Sequence, residues 1–258
     1  MNKSIKGIFL GSLTILVLQA LVAFAIRPRQ INLFLIGDST MAIKSKSAYP
    51  ETGWGMPFCK FFDSTVTVSN FARNGSSTRT FIKDGLWSSV MDKLGEGDYV
   101  FIEFGHNDEV QTKAAATTET EFADNLRRFI DETRSKGGVP LLLTSVARRK
   151  FDAEGNLQQT HEKYAAIVRE LADEMKVNLI DIDRQSQQLI RKFGPIGSQN
   201  LFNYLEPSQN PNYPNGSSDD THLNELGARK VACIVLSAIK QMNHDLAQRI
   251  VKPSGIKK

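Results

Sequence analysis

Short apolar runs alternate along the chain with longer segments in which apolar residues recur every three to four positions. The runs have the length of buried β-strands, and the longer segments have the period of amphipathic helices. This alternation predicts a parallel sheet that is covered by helices on both faces through right-handed crossovers. The predicted strands are Ile31–Ile36, Val66–Asn70, Tyr99–Phe104, Val139–Ser145 and Asn178–Ile182. The predicted helices are Gly55–Phe62, about Phe81–Leu94, Glu119–Lys136, His161–Met175 and about Leu223–Gln248.

One long stretch, Gly194–Asp220, fits neither pattern and is rich in Asn, Pro, Ser and Gly. A loop of this length inside a compact domain usually serves a function. The 258 residues suffice for one α/β domain with a sizeable core, and a second full domain would be a tight fit.

The first 25 residues have the pattern of an export signal. Lys3 and Lys6 form a basic start, the stretch to Ala25 is almost wholly apolar, and Ala23-Phe24-Ala25 is an A-x-A cleavage site. We therefore expect a signal peptide over residues 1–25, a single catalytic domain over 26–258, and a secreted or periplasmic protein. A retained anchor is the alternative, because the uncleaved apolar stretch is nearly long enough to span a bilayer.

Composition and charge argue against several classes of protein. Hydrophobic residues make up 41% and charged residues 23%, which is ordinary for a globular chain. Two of the four net positive charges lie in the predicted signal, and the remainder of about +2 is too small to indicate a nucleic-acid partner. A solvated turn is one of the interpretations left open for the short basic run Arg148-Arg149-Lys150. Cys59 and Cys233 leave two alternatives open, a disulfide permitted by export or two buried free thiols.

Small and polar residues suited to acyl transfer follow three of the predicted strands. Ser39 follows the first strand within Gly37-Asp38-Ser39-Thr40, Gly75 follows the second, and Asn107 follows the third. The carboxyl ends of parallel strands meet at one edge, where sites form. A serine hydroxyl, an unobstructed glycine N–H and a neutral amide donor are the groups that nucleophilic acyl chemistry requires. Taken singly, each has an ordinary alternative: a helix cap, a loop glycine and an Asx turn.

An Asp and a His lie three residues apart in Asp219-Asp220-Thr221-His222, just before the last predicted helix. In one turn, the Asp219 carboxylate accepts from Nδ1–H of His222 and leaves Nε2 free to take a proton from serine. An acidic helix cap with an incidental His is the alternative. His106 has no such orienting partner, so we interpret His222 as the base.

In this order, the residues resemble the SGNH, or GDSL-like, hydrolase superfamily. Ser39, Gly75, Asn107 and His222 match its four blocks, and Asp219 matches the carboxylate of its D-x-x-H block. Within the superfamily the chain is most similar to rhamnogalacturonan acetylesterases and related polysaccharide acetylesterases, over about residues 31–245. The matching segments are Ile36-Gly37-Asp38-Ser39-Thr40, Gly53-Trp54-Gly55, Asn74–Arg79, Gly105-His106-Asn107-Asp108 and Asp219–His222.

The resemblance implies a three-layer α/β/α, flavodoxin-like fold around a five-stranded parallel sheet, with no metal and no organic cofactor. It also implies a serine esterase in which Ser39, Gly75 and Asn107 form the oxyanion hole. The expected partner is an acetylated polysaccharide or oligosaccharide, first of all the rhamnogalacturonan of pectin. No nucleic acid is expected, and no membrane contact after signal cleavage.

Four residues are candidates for substrate binding. Phe202, Tyr204 and Tyr213 lie in the stretch before Asp219, where aromatic side chains either stack on sugars or pack the loop. Arg79 follows Gly75 closely and either faces a uronate or forms a surface salt bridge.

Other functions are compatible with the same scaffold. An acetylxylan esterase, a lipase or thioesterase, and an acetyltransferase would use the same reacting groups. A non-enzymatic glycan-binding module is disfavoured because all five reacting positions are intact.

Overall fold

The apolar runs form a five-stranded sheet in a computed structural model that describes residues 29–242 and 245–251. All neighbouring strands are parallel, in the order β2-β1-β3-β4-β5. The strands are β1 (Ile31–Gly37), β2 (Val66–Asn70), β3 (Tyr99–Glu103), β4 (Val139–Leu143) and β5 (Asn178–Ile180). The prediction of the sheet is therefore confirmed, with β3, β4 and β5 ending one or two residues earlier than expected.

The helices cover both faces of this sheet. They are α1 (Gly55–Phe58), α2 (Thr78–Lys83), α3 (Leu86–Met91), α4 (Glu119–Ser135), α5 (Glu162–Glu174), α6 (Ile182–Gly197), α7 (Glu225–Gln241) and α8 (Asp245–Gln248). Alternate strand residues face opposite cores: Leu33 and Leu35 pack with α1, α6 and α7, whereas Phe34 and Ile36 pack with α2 to α5. The three-layer fold is thus confirmed.

The strand order places a crevice at the carboxyl edge of the sheet. The chain runs from β1 to β2 on one side and then crosses to β3, β4 and β5 on the other. Connections leave β1 and β3 in opposite directions at this point, and open α/β sheets bind ligands there.

The structure differs from the predicted helices at several positions. Helix α6 was not predicted, and the helix expected to end at about Gln248 ends at Gln241. The helix expected over 81–94 is two helices, because Gly85 adopts a left-handed conformation with φ +74° between α2 and α3. The segment expected over 55–62 is the single α-turn α1, followed by a 3₁₀ turn over Cys59–Phe61. No helix in the described ranges is both long and apolar enough to cross a membrane.

The stretch predicted as one long loop contains regular structure. Helix α6 extends to Gly197 and is kinked at Gly194, and a two-stranded antiparallel hairpin follows, β6 (Phe202–Leu205) and β7 (Ser217–Leu223). Asn224 then caps α7 by accepting from the Gly227 N–H, so β7 leads almost directly into the helix.

The two cysteines match neither alternative that the sequence left open. Cys59 and Cys233 are free thiols, and both are exposed rather than buried. Cys233 lies between the buried pairs Val231-Ala232 and Val235-Leu236 on α7, so the helical period turns it outward. The predicted signal peptide and His244 lie outside the described residues.

Candidate active site

The carboxyl edge of the sheet brings together the residues predicted from three strand ends. Ser39 begins the turn after β1, and Asn107 lies in the turn after β3. Gly37, the last residue of β1, has no room for a side chain, since a Cβ there would lie 2.6 Å from the Glu103 carbonyl oxygen. That close approach fixes the start of the Ser39 turn against β3.

The hairpin supplies the other two predicted residues. His222 Nε2 lies 3.1 Å from Ser39 Oγ, and His222 Nδ1 lies 2.7 Å from Asp219 Oδ2. Because the ionised carboxylate only accepts, Nδ1 carries the proton and Nε2 accepts from the serine hydroxyl. The three side chains therefore form one hydrogen-bonded chain from carboxylate to nucleophile.

Asp219 is fixed as a carboxylate by its own turn. Its Oδ1 accepts from the N–H groups of Thr221 at 2.7 Å and His222 at 2.9 Å. Burial alone would raise the pKa of Asp219, but the hydrogen bonds from the His222 side chain and backbone outweigh it and lower the pKa to about 2. The residue thus stays ionised at every pH at which the protein would work, although it lies on a strand rather than in a helix cap.

Three N–H donors lie in the turns that follow β1, β2 and β3 at the same edge of the sheet. Within the described ranges, no protein group accepts from the backbone N–H of Ser39 or of Gly75. Gly75 has φ +76° and open space where a Cβ would be, so its N–H is sterically unobstructed. Asn107 donates one amide N–H to the Ser76 carbonyl at 2.9 Å and keeps the second for another acceptor. The arrangement offers donors to an oxygen that develops negative charge.

Comparison with known proteins decides the family. The GDSL-like lipase/acylhydrolase family profile matches residues 35–230, which include all five residues described above. This chain belongs to that family. It is a carboxylic ester hydrolase.

Named relatives and solved structures agree with this assignment. The chain is 36% identical to rhamnogalacturonan acetylesterase RhgT of Bacillus subtilis over 88% of its length and 97% of the relative. It is 30% identical to the probable rhamnogalacturonan acetylesterase YesY of the same organism, covering 86% and 98%. The crystal structure of Bacillus subtilis YxiM superposes with a TM-score of 0.72 and 26% identity, covering 84% of this chain and 58% of that one. The acetylxylan esterase Axe2 of Geobacillus stearothermophilus shares the fold, with a TM-score of 0.57 and 16% identity over 83% and 94%.

This GDSL-like hydrolase holds its nucleophile turn on two buried acids that the sequence did not reveal. The Thr40 hydroxyl lies 3.0 Å from Asp38 Oδ1 and 2.9 Å from Glu103 Oε1. A hydroxyl has one proton to donate, so it donates to one carboxyl and accepts from the other, which must be protonated. Burial, and then the charge of Asp38, raise the pKa of Glu103 to about 8, and burial raises the pKa of Asp38 as well, so this buried pair keeps a proton near neutral pH. Trp54 completes the group by donating its indole N–H to Glu103 Oε2 at 2.6 Å.

Arg148, for which a solvated turn was one interpretation, instead joins the two turns that carry candidate catalytic residues. Arg148 donates from Nη1 to the Thr221 hydroxyl, and from Nη2 to the His106 carbonyl and the Glu109 carboxylate, each at 3.1 Å. Thr221 lies between Asp219 and His222, and His106 precedes Asn107. One guanidinium thus connects the hairpin to the turn after β3.

Two further histidines lie near this arginine, and neither contacts Ser39. His161 is 1% exposed and lies 2.9 Å from Glu109 through Nδ1 and 3.0 Å from the Val146 carbonyl through Nε2. Both ring nitrogens of His161 are thus engaged by protein groups and do not face the serine. The His106 ring stacks edge-on against the His161 ring at 4.4 Å, and burial lowers the pKa of His106 well below 6.5. His106 is therefore neutral, and the histidine that reaches the serine is His222.

All four candidate substrate residues have protein partners. Of the two roles expected for Phe202, its burial agrees with packing, because it is 1% exposed and β6 turns it into the core. Tyr204 donates to Asp220 and lies against Arg149, whose guanidinium carbon is 5.0 Å from the ring centre. The remaining two also have protein partners: the Tyr213 hydroxyl donates to the Ala48 carbonyl at 2.8 Å, and Arg79 pairs with Glu121 through two guanidinium nitrogens.

In the described ranges, no group of three or more His, Cys, Asp or Glu residues is arranged to hold a metal ion. A cleft of about 1030 Å³ lies on the outer side of the hairpin, lined in part by Tyr204 and Ser218 but not by Ser39 or His222. We place the candidate active site at the hydrogen-bonded Ser39, His222 and Asp219 and not in this cleft, because a reaction is defined by its reacting groups and not by the volume of a cavity.

Proposed function

We propose that this protein is a secreted serine esterase that removes acetyl groups from plant-wall polysaccharide, foremost rhamnogalacturonan. The observation that carries the proposal is the Ser39–His222–Asp219 chain beside three N–H donors. The names of the two relatives that are at least 30% identical support the substrate.

Acylation begins at the serine hydroxyl. His222 Nε2 takes the hydroxyl proton as Ser39 Oγ attacks the acetyl carbonyl, and Asp219 stabilises the imidazolium that forms. The N–H groups of Ser39 and Gly75 and the Asn107 amide donate to the tetrahedral oxyanion. When the ester bond breaks, His222 returns the proton to the departing sugar hydroxyl.

Deacylation reverses these roles with water as the nucleophile. His222 deprotonates a water molecule that attacks the acetyl-serine carbonyl, and the same donors hold the second oxyanion. Collapse releases acetate, and the proton returns to Ser39 Oγ. Apart from the ester and water, this cycle uses only side chains and backbone N–H groups of the protein.

The decisive experiment measures acetate release from acetylated rhamnogalacturonan, acetylated xylan and a series of small esters from acetyl to octanoyl. We expect acetyl esters to react much faster than octanoyl esters, and rhamnogalacturonan to exceed xylan. Polar groups that recognise sugar hydroxyls are left unpaired by alkyl substrates, which lowers kcat/KM for them. A preference for octanoyl esters would contradict the proposal that the protein is an acetylesterase. Equal rates on both polysaccharides would contradict only the proposed preference for rhamnogalacturonan.

Export is part of the same proposal. The basic start at Lys3 and Lys6 and the Ala23-Phe24-Ala25 site support cleavage after residue 25. Amino-terminal sequencing of protein recovered outside the cytoplasm is expected to begin at Ile26. Recovery of the intact amino terminus in membranes would instead indicate that the segment is a retained anchor.

A further inference from the structure

A second cleft, of about 350 Å³, adjoins the candidate active site between residues 44–56 and the loop that joins β6 to β7. Lys44, Lys46, Tyr49, Thr52 and Asn212 are among the residues that line it. Its volume is within the range of sites that bind small molecules or single sugar units.

Hydrogen bonds from the hairpin loop fix one wall of this cleft. The Asn212 amide donates to the carbonyls of Lys46 at 3.1 Å and Tyr49 at 2.9 Å, and the Tyr213 hydroxyl donates to the Ala48 carbonyl at 2.8 Å. Three carbonyls in four residues thus accept from side chains more than 160 positions away. The Tyr49 side chain, 54% exposed, and the exposed Lys46 extend from a backbone that is already fixed.

Two lining residues connect the cleft to the reacting groups. Lys44 Nζ donates to Asn74 Oδ1 at 2.7 Å, and Asn74 directly precedes Gly75. The Thr52 N–H donates to the Leu223 carbonyl at 2.8 Å, and Leu223 directly follows His222. The cleft is therefore hydrogen-bonded to the sequence neighbours of an oxyanion donor and of the base.

The charges in the cleft leave one cation available. The Lys44 ammonium is buried and pairs with Glu51 at 2.6 Å, so these two charges offset each other. No described residue forms a salt bridge with Lys46. By contrast Arg79, the cation expected from the sequence to meet a uronate, is engaged by Glu121.

We propose that this cleft binds a uronate unit of the polysaccharide, near the acetyl group that is removed. Lys46 pairs with the uronate carboxylate, and the exposed Tyr49 ring packs on the apolar face of the sugar. The proposal rests on the function proposed above and deepens it, because it states which part of the chain selects an acidic backbone.

The test compares Lys46→Gln and Tyr49→Ala with the wild type on three substrates. These are acetylated rhamnogalacturonan, the same polymer with its uronates reduced to neutral sugars, and a small acetyl ester. Lys60→Gln is the matched charge control, since Lys60 is an exposed lysine in the Cys59–Phe61 turn. Arg79→Gln tests the alternative that the uronate carboxylate binds at Arg79.

On the native polymer, we expect Lys46→Gln to raise KM about 2- to 5-fold, the size of one solvent-exposed ion pair. Tyr49→Ala is expected to raise KM roughly 5-fold on both polymers through lost ring contact. The Lys46→Gln effect should vanish on the reduced polymer, and Lys60→Gln should match wild type on every substrate.

The inference is overturned, while the proposed function stands, by an unchanged KM for Lys46→Gln on the native polymer or by a loss that appears in Arg79→Gln instead. A loss of equal size on the reduced polymer also overturns it, since the carboxylate would then be irrelevant. Failure of the proposed function is distinct, because wild type itself would release no acetate from the polymer.

Discussion

The Asn107 amide is oriented by two neighbours, one of which accepts a hydrogen bond from it and one of which donates a hydrogen bond to it. Its Nδ2 donates to the Ser76 carbonyl, and its Oδ1 accepts from the Lys113 ammonium at 3.0 Å. A flipped amide would bring N–H to ammonium and oxygen to carbonyl, so one orientation is strongly preferred. The second N–H is thereby fixed in direction before any substrate arrives, which is the condition for effective oxyanion stabilisation.

Removing this donor tests the oxyanion hole. We expect Asn107→Ala to lower kcat roughly 10²–10³-fold, as loss of one such donor does, with little change in KM. Lys113→Met keeps the amide but loses its orienting partner, so its kcat should fall less. Steady-state kinetics on a small acetyl ester measure both. An unchanged kcat with a raised KM in Asn107→Ala would assign the residue to ground-state binding.

Ser39 and His222 are expected to act as a unit. Each alanine variant should lose about 10⁴-fold or more in kcat, and the double variant little more, because either change alone removes the activated nucleophile. His106→Ala is the informative comparison, since that ring does not contact the serine. If His106→Ala removed turnover and His222→Ala did not, the assignment of the base would be wrong.

At this scale, the sequence predicted residues whose position follows from a strand end, and it did not predict residues that meet across strands. Ser39 and Asn107 lie where the apolar runs stop, so their proximity was predictable. Glu103 is the last residue of an apolar strand, and only the sheet register brings it beside Thr40 and Trp54. The Glu121 partner of Arg79 is 42 positions away, which local sequence does not reveal.

At the scale of elements, the hairpin β6–β7 stands apart from the main sheet. Among the described strands, β6 and β7 pair only with each other, yet β7 carries Asp219 and His222. Arg148, just after β4, therefore has a positioning role: it joins the hairpin to the turn that carries Asn107.

We expect Arg148→Met to lower kcat about 10- to 100-fold with little change in KM, because small displacements of reacting groups are costly. Thr221→Val, which loses only the hydroxyl contact, should have a smaller effect. The double variant should resemble Arg148→Met, since the two changes remove a shared contact. Kinetics are to be compared at temperatures where each variant is fully folded, with the exposed Arg128→Met as control. A normal kcat in folded Arg148→Met would reduce the arginine to a structural role.

The composition of the hairpin also explains why its two strands were not predicted from the sequence. Strand β7 is polar, β6 has only four residues, and Pro, Asn and Gly are frequent between them, so hydrophobic periodicity gives no signal. Register comes from contacts with distant segments, such as Thr52 with Leu223 and Arg149 with Asp220. The central sheet strands β1, β3 and β4, by contrast, are buried on both faces and are predictable as apolar runs.

At the scale of the whole molecule, stability depends on acids that stay protonated in the fold. Burial and the charge of Asp38 raise the pKa of Glu103 from 4.5 to about 8, and burial raises the pKa of Asp108 from 3.8 to about 7. Between the ordinary and the raised values, the folded state keeps protons that the unfolded chain has released. The free energy of unfolding therefore falls as pH rises, by at most about 1.4 kcal/mol per pH unit for each proton.

Glu103→Gln should flatten this dependence. His106 acts in the opposite sense, but only below its ordinary pKa of 6.5, so the clearest window is pH 6.5 to 8. Urea midpoints measured across that window should fall less steeply in Glu103→Gln than in wild type, and the two slopes should converge above pH 8. Parallel curves throughout would show that Glu103 is already ionised in the folded protein.

The loop over residues 206–216 lies at a junction with consequences for how such enzymes diversify. It borders both clefts, through Glu206 and Gln209 on one side and Asn212 on the other, while the acid–base pair lies beyond it on β7. Lengthening a surface loop costs little, about 0.6 kcal/mol for each doubling. The loop that recognises substrate can therefore be exchanged separately from the reacting groups. We expect a loop taken from a relative with another polymer preference to change which sugar is accepted, while Asp219 and His222 on β7 stay the same.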